Sequence, residues 1–190
     1  PTWAALSPSA RTAITFIVAL TLLRVVLLHF SLVGLGPDEA QYWVWAQHLE
    51  FGYFSKPPMI AWLIGGTTAL CGDGEACVRV GSPLLYGGTA IAILSLAERV
   101  YASRVAGWAA YAVATLPGVW FSSGLITTDV PLIFFWAVAL LAYSHFLGAH
   151  ETAAANAISP AVAMGMAIGL GLLAKYAMMY FLLCAAIHAG

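Results

Sequence analysis

The sequence predicts an all-α fold, a polytopic bundle of transmembrane helices. Three observations carry that expectation. Of the 190 residues, 62% are hydrophobic and only 8% are charged. Mean hydropathy is +0.91, far above that of a soluble domain. Apolar runs also recur along the whole length, which implies several crossings rather than one anchor. The net charge of −1 excludes a strongly basic nucleic-acid surface, so no nucleic-acid partner is expected.

The first run, 12–33, is long enough to span a bilayer and too long for the apolar part of a cleaved leader. It carries Arg24 inside it. Residues 39–51 read as a helix lying in the membrane interface. Tyr42, Trp45, Ala46 and Leu49 share one face at three- and four-residue spacing, Gln41 and His48 share another, and Trp and Tyr favour headgroup depth. The run 57–70 has only 14 residues, which is short for a crossing and suits a re-entrant or surface-lying helix. Further spans are expected at about 78–97, 105–121, 130–147 and 160–174, with an incomplete one at 176–190. The chain starts at Pro1 and stops at Gly190 inside an apolar stretch. Residues 1–190 therefore read as the N-terminal portion of a longer transmembrane module.

Parity assigns sides. If 57–70 does not cross, the Asp38 loop, the Cys71–Cys77 loop, Asp129 and Lys175 fall on one face. Arg11, Arg99, Arg104 and His150 then fall on the other; the positive-inside rule prefers the Arg99/Arg104 loop inside, although Lys56, Arg79 and Lys175 outside equal the inside count of three. If 57–70 crosses, Asp38 and Asp129 are separated and no shared polar site exists.

Asp38 and Glu39 stand out because adjacent carboxylates at a membrane surface are costly. A structural explanation competes with a catalytic one. Asp38 follows Pro37, and Gln41 stands three residues on, as in a capping box. Glu39 in a first turn is favoured by the helix dipole. Asp129 can likewise cap a helix whose early Pro131 needs no donor. Lys56 is held by Pro57 and Pro58; it is either a snorkelling lysine or an ammonium that meets a phosphate. Lys175 between two apolar runs has the same two readings. Arg24, deep in the first span, marks a functional site or pairs with a buried carbonyl or carboxylate. Cys71 and Cys77 leave open a small disulfide loop or two thiols. The histidines show no ligand spacing, and no metal site is inferred from them.

Taken in order, several segments look familiar. They are Asp38-Glu39 followed by Tyr42-Trp43, then Gly52-Tyr53-Phe54-Ser55-Lys56-Pro57-Pro58, then Thr127-Thr128-Asp129-Val130-Pro131, then Leu173-Ala174-Lys175-Tyr176. In order and spacing they resemble the GT-C membrane glycosyltransferases, in the branch of bacterial protein-mannosyltransferase-like and lipid A aminoarabinose transferase-like enzymes. The resemblance implies an integral protein of the bacterial inner membrane with its active site on the periplasmic face. It implies transfer of a sugar from a polyprenyl-phosphate donor to a hydroxyl of a lipid, glycan or protein, with inversion. Asp38 and Asp129 would be the catalytic acids, and Lys56 and Lys175 would meet the donor phosphate. Glu39, Tyr53 and Arg24 would support the site. No cofactor is predicted, and a divalent metal is left open because Ser55 stands where the aminoarabinose enzymes have an acidic ligand. Gln41 replaces an arginine of those enzymes, which counts against aminoarabinose as the sugar. A lipid-linked sugar flippase and a non-catalytic assembly subunit are the alternatives. The clustering of charge at one face favours surface chemistry over the first of these.

Overall fold

The computed structural model describes residues 6–151 and 158–189, without the side chains of residues 150, 151 and 189. The outer ends of the expected 1–190 module and the side chain of His150 therefore lie outside the described residues. Those described form helices and connecting turns, with no strand. Helix α1 is Pro8–Leu28, opened by Ser7, whose hydroxyl accepts the Ala10 N–H at 3.1 Å, with Pro8 at the first helical position. Then come α2 (Pro37–Ala46), α3 (Met59–Cys71), α4 (Glu75–Arg79), α5 (Gly81–Val100), α6 (Ser103–Thr115), α7 (Pro117–Ser122), α8 (Asp129–Glu151) and α9 (Ile158–Ala174). A 3₁₀ turn at Tyr176–Met178 leads into α10 (Met179–Ala189). Pro8–Leu28, Glu75–Val100 and Asp129–Ala149 are each long and apolar enough to cross a membrane. The protein is an integral membrane protein.

Three apolar clusters hold the bundle. Helices α1, α5 and α6 meet through a core made mostly of alanine, including Ala10, Ala13, Ala90, Ala97, Ala106 and Ala110. Small residues let helix backbones approach closely, which is how helices associate in lipid, where apolar burial gives little drive. Gly87 is the extreme case: a Cβ there would stand 2.5 Å from the Thr21 hydroxyl of α1. Helices α8, α9 and α10 share a second cluster around Ala139, Ala174, Met178 and Phe181. At one end of the bundle, Tyr42, Ile60, Ile64, Val78 and Ile126 form a third, which seats α2 and α3 on α4 and the 123–128 loop.

Polar contacts orient the helices. The Ser7 hydroxyl donates to Glu98 (3.2 Å), and Arg99 donates from Nε to the Ser144 hydroxyl (3.0 Å) and from Nη2 to its carbonyl (3.1 Å). The start of α1, the end of α5 and the later half of α8 thus share one end. The end of α1, the start of α5 and the start of α8 share the other, with Asp38 and Asp129.

The elements depart from the sequence expectations at four places. The 12–33 run stops being helical at Leu28, because the Val33 and Gly34 carbonyls turn to Arg79 (2.8 and 2.9 Å). The 39–51 helix stops at Ala46, which leaves Leu49 beyond it. The chain there wraps the Tyr53 hydroxyl, which accepts the Glu50 N–H at 3.0 Å and faces the carbonyls of Trp45 (3.1 Å) and His48 (3.0 Å). The 105–121 run is broken at Leu116, before Pro117, which has no N–H to continue a helix. Asp38 and Asp129 are not caps. Pro37 occupies the first position of α2, so Gly36 is the cap and Glu39 reaches back to its N–H at 3.0 Å. Asp129 is the first residue of α8 itself.

The 13 residues of α3 rise about 20 Å, against a hydrocarbon core of about 30 Å. It stops at Gly72, whose φ of +93° suits glycine. Cys71 and Cys77 are disulfide-bonded across the turn that follows. Single cysteines at Ser55 and Asp73, in a Cys71→Ser/Cys77→Ser/Cys184→Ser background, are expected to react with an impermeant thiol reagent from the same side of sealed vesicles. Reaction from opposite sides would make α3 a crossing helix.

A candidate active site at one end of the bundle

The end that carries Asp38 is organised by a buried ion pair. Glu39 is 4% exposed and Arg79 2%. Arg79 Nε donates to Glu39 Oε1 at 2.9 Å and Nη2 to Oε2 at 2.7 Å. Arg79 also takes the Val33 and Gly34 carbonyls, at 2.8 and 2.9 Å. Glu39 receives two backbone donors besides, Gly36 N–H on Oε2 (3.0 Å) and Ile126 N–H on Oε1 (2.9 Å). One carboxylate therefore ties the loop after α1, the start of α2, the end of α4 and the loop before α8. Burial pushes the Glu39 carboxyl up, but the Arg79 and backbone hydrogen bonds and the Arg79 charge outweigh it. Its net position is below the ordinary carboxylate value.

This division of labour frees Asp38. It is exposed, and its carboxylate has no hydrogen-bond or ion-pair partner among the described residues. Asp129 is three residues beyond Ile126 and half exposed. It accepts from Lys175 Nζ at 2.6 Å. Lys175 is presented at the junction after α9, where its N–H bonds the Gly171 carbonyl and Ala174 and Met178 are buried on either side. Buried Tyr42 lies in the field of both acids: burial, then the charges of Asp38 and Asp129, push its phenol above the ordinary value.

Of the residues singled out from sequence, the structure thus joins Asp129 to Lys175 and brings Asp38 and Asp129 both near enough to Tyr42 for their charges to act on its phenol. Lys56 is part-buried ahead of α3, and its side chain has no partner among the described residues. Pro57 and Pro58 behind it are buried, and Met59 packs on the α8–α9–α10 cluster. Glu39 turns out to be a structural fastener. Tyr53 is one as well: besides holding the 45–50 turn, its ring stacks on Trp45 at 4.8 Å and 11°. Arg24 is not brought to this cluster. It is 6% exposed, donates from Nη2 to the Ala114 carbonyl at 2.6 Å and lies over the Trp120 ring at 5.1 Å. Ser55 is exposed, and no three His, Cys, Asp or Glu side chains group as a metal cage among the described residues.

Arg79 is the functional-end residue that sequence reasoning missed. Its signal was present: an arginine at the very start of the apolar segment that begins near Val78 demands a partner.

Comparison with known proteins decides the family. The sequence profile of the dolichyl-phosphate-mannose-protein mannosyltransferases matches residues 55–189. The chain belongs to that family. Its relatives include a lipid A galacturonosyltransferase RgtD of Rhizobium johnstonii, 40% identical over 173 residues, which are 90% of this chain and 35% of the relative. An undecaprenyl phosphate-alpha-4-amino-4-deoxy-L-arabinose arabinosyl transferase of an Enterobacter species is 27% identical over 186 residues, 88% of this chain and 32% of the relative. The corresponding protein of Serratia proteamaculans is 28% identical over 151 residues, 73% of this chain and 27% of the relative. The chain spans about a third of the length of the first two. No solved structure matches it significantly.

The low Glu39 pKa has a consequence for stability. A carboxylate depressed in the folded state adds stability that is fully present above its unfolded value, roughly 4.3. That stability is lost as pH falls through the folded value. Thermal stability of the purified protein is expected to fall below about pH 4.3, and Glu39→Gln to flatten that fall while lowering stability at neutral pH. An unchanged acid limb in Glu39→Gln would contradict the assignment.

Proposed function

We propose that the chain is part of a membrane glycosyltransferase that moves a sugar from a polyprenyl-phosphate donor to a hydroxyl acceptor. A lipid acceptor is preferred, because a relative is named for lipid A. The observation that carries the proposal is the exposed Asp38 carboxylate, unpartnered among the described residues, beside a Glu39 that does the structural work. Asp38 takes the proton of the acceptor hydroxyl. The oxygen then attacks the anomeric carbon on the face opposite the phosphate, and the carbon–oxygen bond to the carrier breaks. The polyprenyl phosphate leaves with the bonding electrons, and the anomeric centre inverts.

The leaving phosphate gains negative charge, which fixed cations stabilise. Lys56, proline-braced and with its side chain unpartnered among the described residues, is assigned to it. Lys175 is held by Asp129, and a donor phosphate arriving there competes for its Nζ. Asp129 is assigned as the second acid of the site, which orients the acceptor or sugar hydroxyls. The scheme needs no cofactor.

The proposed location is the periplasmic face of a bacterial inner membrane. The Cys71–Cys77 disulfide, two residues from Arg79, supports that face, since such bonds persist in oxidising compartments.

Asp38→Asn in the complete gene product tests the proposal. Neither a cap nor an ion pair is removed, so folding and donor binding should be kept. Loss of the base should lower turnover by roughly 10²–10⁴-fold. Near-normal transfer by well-folded Asp38→Asn protein would remove Asp38 as the base.

A further inference from the structure

Arg24 has a second surface that its structural contacts leave unused. Its Nη2 bond to the Ala114 carbonyl closes the end of α6, where Pro117 interrupts the helix. The Trp120 ring covers one side of the guanidinium. Nε is buried without an acceptor, and Nη1 has none among the described residues. No carboxylate pairs with Arg24 among the described residues; the ion pairs there are Arg79–Glu39 and Lys175–Asp129. A buried guanidinium with free donors and no counter-charge is costly in a membrane setting.

The same arginine lines a cavity of about 180 Å³ with Leu27, Leu28, Ser31, Trp120, Ser123 and Gly124. Serine hydroxyls and the guanidinium give the cavity a polar wall, and leucines give it an apolar one. Arg24 lies four residues before the end of α1, so it stands about 6 Å below that end. Of the lining, Leu27 and Trp120 are exposed, as are Phe30 and Phe121 close by in the chain, so the approach is across an apolar surface. What reaches the guanidinium along that route must carry its negative charge on an apolar body.

We infer that the cavity between the end of α1 and α7 binds the phosphate of a membrane lipid, with Arg24 as its cation and the Ser31 hydroxyl as a polar neighbour, the Ser123 hydroxyl donating instead to the Trp120 carbonyl (2.7 Å). Phosphate oxygens suit the planar donor fork of arginine. Bound there, the lipid would fasten α1 to α7 beside the 123–128 loop that carries Ile126 towards Asp129. The inference is independent of the glycosyltransferase reading, because its readout is bound lipid and not transfer.

The test is native mass spectrometry of the complete gene product released from nanodiscs. Three preparations are compared: phosphatidylglycerol discs, uncharged detergent-like lipid discs doped with polyprenyl phosphate, and the latter discs given only inorganic phosphate. Wild type and Arg24→Lys should retain a phosphate lipid; which of the first two preparations supplies it identifies the source. Arg24→Gln should retain at least about ten-fold less, the loss expected for one charge-assisted contact. Ser31→Asp places a carboxylate at the cavity and leaves the Arg24–Ala114 bond in place; it should displace the lipid to a similar extent, so the test survives misfolding of Arg24→Gln. Equal retention in wild type and well-folded Ser31→Asp would overturn the inference. So would binding of inorganic phosphate alone, or cross-linking of Arg24 to a carboxylate elsewhere in the gene product.

Discussion

The buried pair of Glu39 and Arg79 is the constraint on which this end of the molecule depends. Taking two charges out of water costs several kcal/mol each, and only good geometry with further hydrogen bonds offsets it. Here the offset is nearly complete. The Glu39 carboxylate accepts four N–H groups, and the Arg79 guanidinium reaches both carboxylate oxygens and two carbonyls. Each of those partners belongs to a segment that would otherwise be free to move. The pair therefore fixes where the loop after α1, the start of α2 and the approach to α8 can stand.

Chemistry follows from the split between neighbouring acids. Glu39 faces inward as the third residue of its helix, while Asp38, the second, faces water. Glu39 is spent on its hydrogen bonds, and the exposed Asp38 side chain is left available. The bond from Ile126 N–H to Glu39 carries the same order across to the start of α8, where Asp129 meets Lys175. Two acids and two lysines thus stand at one end of a bundle whose other end carries Glu98 and Arg99. Such an arrangement suits a reaction in which a lipid-borne phosphate leaves and a hydroxyl attacks at the membrane surface.

Much of the fold was legible in the sequence because it rests on local rules. Apolar run length marked α1, α5 and α8 as long and α3 as short, and parity put Asp38 and Asp129 on one face on the condition that α3 does not cross. Helix ends were harder. Phe30, Leu32 and Val33 prolong the apolar run past the helix end, and the Val33 carbonyl goes instead to Arg79, 46 positions away. Pro117 did announce a break, yet the hydropathy of 105–121 concealed it. The cap of α2 could have been read correctly: Pro37 belongs at the first helical position, which makes Gly36 the cap and Glu39 the reaching side chain. The candidate site was legible as a set of residue types, since the acids and lysines stood between apolar runs. Their roles were not, because the partner that separates Asp38 from Glu39 lies 40 residues away from Glu39 in α4.

The central claim is that Glu39 and Arg79 act as one unit. A double-mutant cycle tests it most directly, with unfolding free energies measured for wild type, Glu39→Gln, Arg79→Met and the double variant. Removing one partner leaves the other charge buried, so each single change should cost about 3–5 kcal/mol. The double variant should cost less than the sum of the two, with a coupling of about 2–3 kcal/mol. Additivity within about 0.5 kcal/mol would contradict the account.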